Sequence, residues 1–122
     1  MYNKKVLQHF LHPKFFGKIE NADAVGEVGN MKCGDIMTLY LKIDKKTDKI
    51  VDIKFNTLGC AAAIASSDMI CEKAEGKTLK EALKIKFEDI VKELGEMPPT
   101  KVHCSVLATQ ALKNAAENYY KN

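Results

Sequence analysis

Ile36-Met37-Thr38-Leu39-Tyr40-Leu41-Lys42-Ile43 decides the fold. In an extended chain Met37, Leu39, Leu41 and Ile43 point one way and Thr38, Tyr40 and Lys42 the other, so this is a strand with one apolar face. Downstream, Ile50 to Thr57 alternates again, with Val51, Ile53 and Phe55 opposed by Asp52, Lys54 and Asn56. The polar run Asp44-Lys45-Lys46-Thr47-Asp48-Lys49 between them reads as a turn. Upstream, Ala24 to Asn30, punctuated by Gly26 and Gly29, reads as an edge strand. Together these segments make an antiparallel meander with one buried face.

Helical patterns flank the meander. Tyr2 to Leu11 puts Val6, Leu7, Phe10 and Leu11 on one side. His12-Pro13 ends it, because the residue before a proline avoids the α region. Phe15 and Phe16 follow in a loop and are expected to cover the core. Cys60 to Ala74 is an alanine-rich helix behind Gly59. Thr78-Leu79-Lys80-Glu81 has the form of a capping box and opens a short helix to about Lys84. Phe87 to Leu94 is a further helix, stopped by Gly95 and the extended breaker Pro98-Pro99. The last helix is expected from His103 or Cys104 to Tyr120, with Val106, Leu107, Ala111, Leu112 and Ala115 on its apolar stripe. Strands first and helices later predict an α+β fold, with helices packed on one face of the sheet.

The chain has 122 residues, a length that fits one domain over 1–122. Hydrophobic residues make up 46%, which argues against global disorder. No apolar run approaches the roughly 18 residues needed to span a bilayer, and the opening Met1-Tyr2-Asn3-Lys4-Lys5-Val6 lacks the apolar core of a signal peptide. A cytoplasmic protein without a membrane partner is the expectation. All nineteen basic residues are lysines, spread among the acids, with a net charge of +3. Bidentate readout of phosphate or guanine favours arginine, so nucleic acid is not an expected partner.

Cys33, Cys60, Cys71 and Cys104 are the four cysteines, and no Cys-x-x-Cys pair occurs. In a reducing compartment such dispersed cysteines are core fillers, metal ligands or reactive thiols. Three of them stand at element junctions: Cys33-Gly34-Asp35 before a strand, Gly59-Cys60 between strand and helix, and His103-Cys104-Ser105 at a helix start. A cysteine at a helix N-terminus faces unpaired N–H donors and the positive end of the dipole, which favours the thiolate that binds metal and attacks sulfur. Cys60 and Cys104 both fit that placement. Asp35, two residues from Cys33 in an extended segment, points the same way as Cys33. Three thiolates with Asp35, or with His103 as a nitrogen donor, complete a four-coordinate site more labile than four thiolates. Taken singly, each of these residues also has an ordinary reading as filler, cap or turn. Cys71, between Ile70 and Glu72, reads as core, and His9 and His12 as structural.

Cys33-Gly34-Asp35, Gly59-Cys60-Ala61-Ala62-Ala63-Ile64-Ala65-Ser66-Ser67 and Pro98-Pro99-Thr100-Lys101-Val102-His103-Cys104-Ser105 resemble the IscU/NifU scaffold family in order and spacing. The opening from Val6 to Gly17 shares the likeness, and Asn21 to Gly29 looks more like the N-terminal domain of NifU than bacterial IscU. The resemblance covers nearly the whole chain. It implies an α+β fold with a three-stranded antiparallel sheet, and a scaffold that is not an enzyme. It implies sulfur received as persulfide from a cysteine desulfurase, combined with iron into a labile 2Fe–2S cluster, and passed to apo iron–sulfur proteins. Cys33, Cys60 and Cys104 match the family's metal ligands, with Asp35 or His103 as the exchangeable fourth, and Cys104 matches its persulfide acceptor. The resemblance also implies zinc as an alternative occupant of the same site. Met97-Pro98-Pro99-Thr100-Lys101 stands where the family carries Leu-Pro-Pro-Val-Lys, which makes a DnaK-type chaperone a candidate partner. Ala61 replaces a family glycine beside Cys60. A monomer or a cluster-bridged dimer is expected, standing alone without the further domains of full-length NifU. A zinc-dependent sulfur-transfer partner, as in SufU-like proteins, uses the same residues; the interval from Cys60 to Cys104 carries no long insertion, which weighs against it. A closed structural zinc domain is the third reading.

Overall fold

The computed structural model describes residues 4–30, 35–95 and 99–121, without the side chains of 30, 35, 94 and 99–103. The elements run α1 (Lys4–Leu11), β1 (Ala24–Asn30), β2 (Asp35–Asp44), β3 (Lys49–Leu58), α2 (Ala61–Ala74), α3 (Leu79–Ala82), α4 (Phe87–Leu94) and α5 (Pro99–Lys121). The sheet is antiparallel in the order β1-β2-β3. This is the expected α+β arrangement, with α2 and α5 against the apolar face of the sheet and α1 outside α2. Among the described residues no helix is long and apolar enough to cross a membrane.

Met37, Leu39, Leu41 and Ile43 of β2 all face the core, as their alternation requires. On β3 the phase differs from the sequence expectation. Lys42 pairs with Asp52 but Ile43 pairs with Ile50, so Val51 is an extra residue in the ladder. A bulge of one residue moves everything beyond it to the other face. Ile50 is therefore buried and Val51 is 56% exposed, whereas Ile53 and Phe55 remain inside.

α2 is the central helix. Ten of its fourteen residues are buried, which is the mark of a helix surrounded by other elements rather than lying on a surface. Its alanines let neighbours approach closely. α5 makes an even closer contact with β1 at Gly26: a Cβ built there would run into the backbone oxygen of Ala111 and nitrogen of Ala115, and come within 2.8 Å of the Ala115 Cβ.

Both outer strands have their edges covered by the chain itself. Phe55 N donates to Phe15 O and Gly17 N to Phe55 O, both at 2.9 Å, laying residues 15–17 along β3. Phe15 is buried there as expected. Phe16 is 54% exposed, because its ring stands edge-on to Phe55, 5.5 Å between centroids, instead of entering the core. On the β1 side, Glu27 N donates to Asn114 Oδ1 at 3.1 Å and Asn118 Nδ2 donates to Val25 O at 2.7 Å.

The Thr78–Glu81 capping box forms, with Thr78 Oγ1 accepting from Glu81 N at 3.2 Å. α4 ends at Gly95, whose φ of 85° is open to glycine without strain. α5 begins earlier than its expected start at 103 or 104. Pro99 is its first residue, a position where the missing N–H is not needed and the fixed φ suits a helix.

Candidate metal centre

Cys60 is the N-cap of α2, with extended backbone angles of φ −77° and ψ 173°. Its carbonyl accepts the first helical bond from Ile64 N at 3.1 Å. Its side chain makes no capping bond and stands half-buried at the positive end of the helix. Cys104 approaches from α5. The early start at Pro99 makes it the sixth residue of that helix, so the expected N-terminal placement holds for Cys60 and not for Cys104. Cys104 instead continues the buried stripe of Ala108, Ala111, Leu112 and Ala115 and is fully buried.

The two sulfurs are 3.9 Å apart. A disulfide requires about 2.0 Å. Two thiolates bound at about 2.3 Å to one tetrahedral ion stand about 3.8 Å apart. The separation and the soft donors therefore suit a shared thiophilic metal.

The remaining predicted ligands are only partly visible. Cys33 lies outside the described residues, between Asn30 and Asp35, which are cross-strand partners. Asp35 heads β2 and His103 precedes Cys104 in α5, but both side chains lie outside the described residues. Of Met97–Lys101, Met97 and Pro98 lie outside them, and Pro99 to Lys101 are described as α5 backbone alone. Ile36 pairs with Leu58, so the first residues of β2 and the last of β3 stand together at the Cys60 end of the sheet. Among the described residues no group of three or more metal-ligating side chains gathers.

Cys71 is core, as its neighbours suggest. Burial, with the Asp68 carboxylate adding to it, pushes its thiol well above the ordinary cysteine range. Asp68 itself carried no local signal in the sequence. Its Oδ2 lies 2.6 Å from His9 Nδ1, and its Oδ1 accepts from Phe15 N at 3.0 Å. His9 Nε2 also lies 3.6 Å from Glu72 Oε2. His9 thus has the structural role expected of it, clamping α1 and the strip at residues 15–17 to α2.

Two hydroxyl pairs were equally hidden. Thr57 Oγ1 and Ser67 Oγ are 2.8 Å apart, and Ser67 donates to Ala63 O at 2.8 Å. Ser66 Oγ and Ser105 Oγ are 3.3 Å apart.

The model of the NifU-like N-terminal domain matches residues 1–122. The chain is 53% identical over 121 residues to "Iron-sulfur cluster assembly scaffold protein IscU 1" of Archaeoglobus fulgidus, across 99% of this chain and 78% of that one. It is 44% identical over 118 residues to "Iron-sulfur cluster assembly scaffold protein IscU" of Aquifex aeolicus, across 97% and 75%. The crystal structure of FiSufU, a protein of the SUF system from Fervidobacterium islandicum AW-1, superposes with a TM-score of 0.78 at 35% identity, across 93% of this chain and 95% of that one. With its three-stranded sheet, its helices on one face and a family match along its whole length, the chain belongs to the NifU-like N-terminal domain family.

Proposed function

We propose that this protein, as one domain over 1–122, is a cytoplasmic scaffold for iron–sulfur cluster assembly. The observation that carries the reading is the Cys60–Cys104 sulfur pair, at a spacing suited to one metal ion, and the relatives named as assembly scaffolds support it. Iron and sulfide are its cargo. Cys33, Cys60 and Cys104 supply thiolates, and Asp35 or His103 the fourth ligand. A hard oxygen or a single imidazole holds cluster iron less firmly than a fourth thiolate, which leaves a 2Fe–2S cluster removable by an apo-protein. Asp35→Ala is accordingly expected to slow cluster loss, and equal loss rates would remove Asp35 from this role.

Sulfur arrives from a cysteine desulfurase. The Cys104 thiolate attacks the outer sulfur of the enzyme's persulfide, the enzyme's thiolate leaves, and Cys104 carries the new S–S bond. Zinc fits the same donors. A DnaK-type chaperone acting at Met97–Lys101 and a dimer bridged by the cluster complete the set of proposed partners.

The test is anaerobic reconstitution with ferrous iron, cysteine and a cysteine desulfurase, following visible absorption and bound iron and sulfide. A cluster spectrum that moves to an apo-ferredoxin supports the scaffold. The SUF-system neighbour gives the zinc-dependent sulfur-transfer reading its support. Faster desulfurase turnover with zinc-loaded protein, and no cluster, would decide for that reading instead.

A further inference from the structure

Among the described residues five polar side chains are buried: Thr57, Ser66, Ser67, Asp68 and Ser105. Asp68 belongs to the His9 clamp. The other four make up the two hydroxyl pairs, one joining β3 to α2 on either side of Cys60 and the other joining α2, which Cys60 caps, to α5, which carries Cys104. We propose that these pairs are positioning groups that set the distance between the Cys60 and Cys104 sulfurs; the inference rests on the metal-site reading above.

Packing alone does not account for them. In a helix as rich in alanine as α2, alanine would fill the same space without an oxygen to satisfy. Contacts between small apolar side chains let one helix slide on another, whereas hydrogen bonds between hydroxyls restrict both distance and direction. The first pair acts on the corner that holds Cys60. Ser67 spends its proton on Ala63 O, so Thr57 is the donor to Ser67. This ties the end of strand β3, three residues before Cys60, to the first turns of α2. The second pair ties α2 to α5 through Ser105, the residue after Cys104. Between them they connect β3, α2 and α5. Groups that hydrogen-bond a ligand from behind change metal affinity about 10- to 100-fold when removed; these pairs act one step further back, through the elements that carry the ligands, so the lower end of that range is expected.

Cobalt(II) titration of the full chain under reducing, anaerobic conditions tests the proposal, with thermal unfolding of the metal-free proteins alongside. The variants are Ser66→Ala, Ser105→Ala, the double variant and Thr57→Val. The double variant removes both hydroxyls and leaves no buried oxygen orphaned, so it keeps the fold most easily. Thr57→Val leaves Ser67 bonded to Ala63 and serves should the α2–α5 variants not fold. The expected result is wild-type thiolate-to-cobalt absorption, with cobalt binding about 10-fold weaker or more in the variants and the d–d bands shifted. Variants with wild-type affinity and wild-type d–d bands overturn the inference, whatever their melting temperatures. A wild-type protein without thiolate-to-cobalt absorption overturns the metal reading itself and this inference with it.

Discussion

Gly26→Ala concentrates the logic of the fold in one methyl group. The new Cβ would meet the backbone of α5 at Ala111 and Ala115, and the Ala115 Cβ at 2.8 Å. Side chains can rotate away from such an intrusion; helix backbone cannot. Overpacking in a well-packed core costs about 1–3 kcal/mol, and a backbone obstacle puts this case near 3 kcal/mol. At about 2.1 cal/mol/K per residue, that lowers the melting temperature of a chain this long by roughly 12 °C. Urea unfolding followed by far-UV circular dichroism should show the same loss in midpoint. Because α5 must retreat, and α5 carries Cys104, thiophilic metal binding should weaken in the same variant. Gly76→Ala is the control: φ is 84° and no atom lies within 4 Å, so only backbone strain of about 1 kcal/mol is expected, without effect on the site. If Gly26→Ala lies within about 0.5 kcal/mol of wild type, the close β1–α5 contact is not what seats α5.

His9→Ala strands the Asp68 carboxylate, 1% exposed, without its ring partner. Asp68 keeps its bond from Phe15 N, so the loss of one partner from a buried acceptor costs about 1–3 kcal/mol; hydrogen exchange should also quicken in α1, and unchanged exchange there would contradict the clamp. Alkaline stability should follow Cys71. Its folded thiol titrates above the ordinary value, so the unfolded chain loses this proton first, from about pH 8.5. The contribution is intact below that pH and shrinks as pH rises beyond it. Cys71→Ala should flatten the alkaline slope of stability measured in urea, and an unaltered slope would assign the loss to other groups.

The strands were legible because half-buried antiparallel strands write their faces directly into alternation, as Met37 to Ile43 does. Val51 broke the pattern since a bulge is a property of two strands together, and the turn at 44–49 did not announce it. Pro98-Pro99 was misleading for a local reason: a proline that blocks a helix interior is equally suited to a helix start. That one ambiguity moved Cys104 from a helix end to a buried face. Cysteines at junctions were visible as candidates for one site, and the structure brings Cys60 and Cys104 together, whereas the route by which Cys104 arrives, from a helix face instead of a helix end, was not legible. Asp68 and the hydroxyl pairs find partners 10 to 59 residues away, and the only available hint was polar side chains inside a helix apolar on every side.

The covered edges of the sheet bear on how the molecule waits for its cargo. An exposed strand edge invites a second chain to add its own strand, the first step toward fibrous aggregates. Here residues 15–17 occupy one edge and Asn114 and Asn118 cover the other. The pairing groups of Phe55 on one edge, and of Val25 and Glu27 on the other, are taken up within the chain, so a neighbour is left fewer backbone groups to pair with.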